Sequence, residues 1–237
     1  MADETPDDRA GCGRLSGGPE TTLTERTVEF VRGELPGWRD DPHRPAEESE
    51  ERLNGQLCKF LNVAAAYRFP MVHFHHEEKQ TAGRRVDISA NPLSARFVGE
   101  TFHTIYHPFI VFEGKRLPAP SKDREREYLT GGEAKSGGIQ RFRLGLHGAE
   151  QRQVAIIGYV QRGTTRECFG RINRWVAEIQ EALALDGLAW CEKDVLTEFR
   201  ESVKERTAFC RSKHRRSGAV VSDEVLISHL WIQMDRH

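Results

Sequence analysis

Phe109-Ile110-Val111-Phe112-Glu113-Gly114-Lys115 is the stretch on which the fold turns. Four large apolar residues in a row mark a strand covered on both faces, as at the centre of a sheet packed between layers. The run ends in an acid and an amine two residues apart. Side chains alternate along a strand, so Glu113 and Lys115 project from one face with Cβ atoms about 6.5–7 Å apart. A buried strand that carries both charges to one point is a candidate site. The competing reading is an ordinary ion pair at a strand end.

Upstream, Val72–Glu77 and Arg84–Ser89 read as strands joined by a Gly-containing turn. The second contains Asp87 between Val86 and Ile88, and aspartate is depleted in strands because it competes with the backbone for hydrogen bonds. Asp87 lies 26 residues before Glu113, enough for an intervening strand or hairpin. On adjacent strands, the two carboxylates would share one hard divalent cation, and oxygen ligands suit Mg²⁺, or Mn²⁺ in its place. Lys115 would stand beside the attacking water, to position or deprotonate it, or to neutralise phosphate charge.

Further upstream, the spacing of Leu53, Leu57, Phe60, Leu61 and Ala64 predicts a helix over Glu47–Tyr67. Glu50 falls on its inward face, and Glu51 points away. A first-turn acid is also what the helix dipole favours. Before it, Thr24–Leu35 reads as a helix capped by Thr24 and ended by the turn-rich stretch Pro36–Pro45. Downstream, Pro118–Gly138 reads as a loop, Gly138–His147 as a helix, Val154–Val160 as a buried strand and Arg166–Leu185 as a helix. Ala208–Lys213 and Val225–Met234 read as a final pair of strands. This order predicts an α/β fold, a mixed β-sheet core flanked by α-helices.

These elements carry a resemblance. The Glu-bearing helix (Glu50 or Glu51), Asp87 on a strand, and Glu113-Gly114-Lys115 closing the next core strand resemble the PD-(D/E)xK nuclease superfamily over roughly residues 47–160. The resemblance implies a restriction-endonuclease-like fold and Mg²⁺- or Mn²⁺-dependent hydrolysis of phosphodiester bonds. It also implies Asp87 and Glu113 as metal ligands, the Gly114 carbonyl reaching the metal, and Lys115 as the catalytic lysine. Glu50 would join them as a metal or water ligand. Some branches place a polar residue on the following helix, here Gln140 or Arg141. Arg85-Val86 stands where a proline often precedes the aspartate, and Gly114 replaces the more usual apolar residue or cysteine.

By this reading the partner is DNA, with RNA as an alternative, and the setting is bacterial defence or repair. A catalytically inactive relative that binds nucleic acid or protein is the second reading. Arg116 and Arg141, beside the site, and the run Arg211, Lys213, Arg215 and Arg216 are the candidate phosphate contacts. A homodimer is an open alternative to a monomer. His73 and His75 share a strand face, but no cysteine or second histidine pair completes a zinc set.

Composition narrows the classes. The chain has 237 residues, of which 38% are apolar and 30% charged, with net charge −1, so any electrostatic recognition is local. Residues 1–22 read as a disordered lead, and 23–237 as one domain with a C-terminal β-rich extension. No apolar run approaches a membrane span, and no secretory leader is read at the N-terminus. The five scattered cysteines form no disulfide framework, and the expected location is cytoplasmic.

Overall fold

Thr22 starts the first helix. In a computed structural model, described over residues 22–79, 84–181, 189–218 and 220–235, its hydroxyl accepts from Glu25 N–H while the Glu25 carboxylate accepts from Thr22 N–H. This capping box begins α1 (Leu23–Arg39). The lead read over 1–22 lies outside the described residues apart from Thr22. Two expectations for α1 are corrected. The cap is Thr22, not Thr24, and the helix runs through Pro36 to Arg39. A proline in the last turn deletes one backbone bond, and Leu35 and Trp38, both fully buried, hold that turn against the core.

Ser49 caps α2 (Glu50–Arg68), which starts three residues later than the spacing suggested. Then follow β1 (Val72–Lys79), β2 (Arg85–Pro92), the short hairpin β3 (Arg96–Val98) and β4 (Thr101–His103), and β5 (Ile110–Leu117). After a long loop come α3 (Gly138–Arg143), β6 (Gln153–Val160), α4 (Thr165–Glu181), β7 (Thr197–Ser202), β8 (Thr207–Arg215) and β9 (Glu224–Gln233). The helix expected to reach His147 stops at Arg143, and Gly145 follows with φ +62°. The end of the helix read to Leu185 lies outside the described residues beyond Glu181. β3, β4 and β7 carry little apolar alternation and were not legible.

Seven strands form one mixed sheet in the order β1-β2-β5-β6-β9-β8-β7. β5, β6 and β9 run parallel and all other neighbours antiparallel. The C-terminal strands β9, β8 and β7 continue the same sheet beyond β6. α1 and α2 cover one face through Leu35, Trp38, Leu53, Leu57 and Leu61, packed on Phe74, Phe112, Tyr159 and Phe209. On the other face Phe142, Ile172 and Val176 pack on Val111, Ile156, Ile227 and Trp231. β5 is buried on both faces, as its apolar run requires. Among the described residues no helix is long and apolar enough to cross a membrane.

Candidate active site

The site lies where β2 and β5 part. Their ladder pairs Ile88 with Phe112 and goes no further toward Asp87 and Glu113. Beyond that point Asp87 Oδ2 accepts from Gly114 N–H at 2.8 Å, so a side chain replaces the missing ladder partner. Glu113 and Lys115 alternate with Phe112, and so lie on the face opposite α1 and α2.

Lys115 Nζ sits 2.8 Å from Glu50 Oε1 and 3.2 Å from Glu113 Oε1. The other Glu50 oxygen accepts from Arg116 N–H at 3.2 Å. The helix acid is thus Glu50. Glu47 and Glu51 are exposed, and Glu48 pairs with Arg44. Glu113 is fully buried. Its Oε1 also takes the Arg141 guanidinium, and its Oε2 is 2.9 Å from His147 Nδ1.

The electrostatics follow from this crowding. Burial alone would raise the Glu113 carboxyl, but Lys115, His147 and Arg141 hold it well below the usual carboxylate range. Asp87 goes the other way. Burial first, and then the Glu113 charge, push it up to about 8 against the opposing pull of Lys115 and Gly114 N–H. Burial would lower Lys115, yet Glu113, Glu50 and Asp87 together keep it protonated well above its ordinary range. These neighbours favour the charged, hydrogen-bond-donating form of Lys115.

Gly114 has its own explanation. It faces α2, where an added Cβ would collide with the Asn54 side chain. Asn54 is buried and accepts from the Tyr159 hydroxyl at 2.7 Å. The glycine lets α2 approach β5 closely enough for Glu50 to reach Lys115. Asn54 and His147 were missed in the sequence. Asn54 had a signal, a polar residue four positions after Glu50 on the helix stripe. His147 had none, because it follows a turn whose direction only the fold sets.

The other candidates divide. Arg141 and the Arg116 backbone reach the cluster. Gln140 is fully buried and holds the preceding loop: Oε1 accepts from Gly131 and Gly137 N–H at 2.9 and 3.3 Å, and Nε2 donates to the Gly132 carbonyl at 2.9 Å. That loop sets Gly138 against Lys115, so Gln140 supports the site through the loop it holds. Arg211, Lys213 and Arg215 share the face of β8 that carries Phe209, the α1 side of the sheet. They lie three strands from β5 and on the face opposite Glu113. Arg211 pairs with Glu198 and Lys213 with Glu224. Arg216 is buried and donates to the carbonyls of Phe142, Gln151 and Gly148 at 2.8–3.0 Å. It is a clamp between segments, and the expectation of a phosphate contact there is corrected.

Among the described residues no three His, Cys, Asp or Glu side chains form a closed metal cage. A magnesium site does not need one, because Mg²⁺ keeps several waters and takes one or two carboxylates. Asp87 and Glu113 supply the hard oxygen donors of that pattern, with both Glu113 oxygens engaged by Lys115, Arg141 and His147. Family models, curated proteins and solved structures give no match to the chain.

Proposed function

We propose that the chain is a metal-dependent nuclease of restriction-endonuclease-like fold that hydrolyses phosphodiester bonds in DNA. The observation that carries this reading is Lys115 Nζ seated between Glu113 and Glu50 at the end of a central strand, with Asp87 on the adjoining strand of the fork. An ordinary surface ion pair does not recruit three acids from three elements around one buried lysine.

Asp87 and Glu113 would hold the cation, which when bound supplies Lewis-acid polarisation and charge neutralisation at the phosphate. Lys115, fixed by Glu113 and Glu50, orients a water by donating to it and offsets charge on the phosphoryl oxygens. Glu50 fixes the lysine. His147 holds Glu113 Oε2, so that Oε1 is the edge that Arg141 and a cation contend for. Arg141, nearly a third exposed, is placed to move onto a phosphate when it leaves Glu113.

The test is incubation of the purified chain with supercoiled DNA, linear DNA and RNA in Mg²⁺ or Mn²⁺, beside Asp87→Ala. Metal-dependent cleavage lost in the variant is the expected result. Equal nicking by both proteins would refute the reading. A second reading, a binding module without catalysis, draws on the capture of both Glu113 oxygens by cationic side chains. Metal-independent nucleic-acid binding with no cleavage would favour it.

A further inference from the structure

A second cluster lies on β1, outside the carboxylate site. β1 is an edge strand of the sheet. Val72 and Phe74 turn one of its faces into the core under α2, which leaves His73 and His75 together on the other. His73 is exposed and His75 half-buried. Their ring centroids are 4.7 Å apart and the rings meet edge to face. Two imidazole nitrogens each 2.0–2.1 Å from one ion place their ring centroids about 5 Å apart. The pair already stands at chelating separation.

From this geometry we infer that His73 and His75 form a bidentate site for one first-row transition cation of the Cu²⁺, Ni²⁺ or Zn²⁺ class. Imidazole suits these ions and hard oxygen donors suit Mg²⁺, so the ligand chemistry separates this site from the carboxylate fork. The surroundings agree. His75 lies across from Ser89 and His73 across from Asn91. Ser89 Oγ donates to the Glu78 carboxylate. Asn91 Oδ1 is buried and has no hydrogen-bond partner among the described residues. Two protein nitrogens leave the remaining positions to water.

The site does not depend on the nuclease reading, and its test separates the two. Cu²⁺ titration of the full chain, followed by calorimetry and electron paramagnetic resonance, should show one ion with nitrogen ligands. His73→Asn or His75→Asn should each weaken binding on the order of tenfold or more, through loss of one of two imidazole ligands. The double variant should abolish it, and Asp87→Asn and Glu113→Gln should leave it intact. In the unaltered protein, paramagnetic broadening of amide resonances should centre on β1, a measurement that needs no variant. Equal Cu²⁺ affinity in the double variant, loss of binding in Asp87→Asn, or broadening centred elsewhere would each overturn the proposal.

Discussion

At the level of single residues, Arg141 makes the sharpest prediction about the fork. Its guanidinium occupies the Glu113 edge that a cation would use. Two cations cannot share that edge without repulsion, so Arg141→Met should raise Mn²⁺ affinity several-fold in calorimetry and lower the stability of the metal-free protein. Unchanged or weaker Mn²⁺ binding would remove Arg141 as a competitor. Lys115→Met should instead leave nucleic-acid affinity nearly intact and cut cleavage by orders of magnitude, since its charge acts on the transition state. Gly114 yields a steric test. Gly114→Ala forces a methyl group onto the Asn54 side chain and should cost about 1–3 kcal/mol, the usual range for overpacking. Urea denaturation of Gly114→Ala, Asn54→Ser and the double variant should show strong coupling, with the second substitution recovering part of the loss.

Between elements, β8, β9 and the loop before α3 are joined by a buried polar chain. Trp231 Nε1 donates to the Tyr128 hydroxyl, which reaches His229 Nδ1 at 2.7 Å. His229 Nε2 meets Ser212 Oγ, Ser212 Oγ meets His214 Nε2, and His214 Nδ1 meets Asp194, each at 2.7 Å. An indole only donates and a carboxylate only accepts. A proton order with both imidazoles neutral satisfies every contact of the chain: Tyr128 donates to His229 Nδ1, His229 Nε2 to Ser212, Ser212 to His214 Nε2 and His214 Nδ1 to Asp194. Burial lowers both histidines, opposed at His214 by its hydrogen bond to Asp194. The unfolded chain then binds more protons below the ordinary histidine pKa of about 6.5, so stability should fall as pH drops through that value. Asp194 is held low, because His214 outweighs the effect of burial, and its contribution is lost further into acid. Urea midpoints at pH 7.5, 6 and 5 measure this. A flat profile would mean that one of the imidazoles is charged in the native state.

For the molecule as a whole, the sheet decides which basic residues can serve the fork. Arg211, Lys213 and Arg215 lie on the opposite face from Glu113. If nucleic acid wraps around the molecule, neutralising these three should flatten the salt dependence of binding by a slope of up to about 3, at roughly 0.9 per phosphate contact. Single-turnover cleavage at saturating DNA should stay unchanged, and a large fall in that rate would place them at the reacting phosphate. Arg216→Ala belongs to a different class. It leaves three carbonyls without their charged donor and should cost about 1.5–3 kcal/mol of stability, read as a lower melting temperature at any salt concentration.

The apolar run before Glu113, the alternation that sets Glu113 and Lys115 on one face, and the stripe that turns Glu50 inward are local periodicities. The sequence by itself determined them, and with them the α/β class and the candidates Asp87, Glu113 and Lys115. What the tertiary structure decided is everything that depends on distant pairings. It chose Glu50 over its three neighbouring glutamates, because only that carboxylate meets Lys115 when α2 seats on Gly114. It added His147, which a left-handed glycine turn delivers to Glu113. It folded β7, β8 and β9 into the main sheet, so the basic run that reads as one patch along the chain splits into a half-buried to exposed row, Arg211, Lys213 and Arg215, and a buried clamp, Arg216. Strand period is written residue by residue, whereas strand order and the face a neighbour presents are set by contacts between segments far apart in the chain.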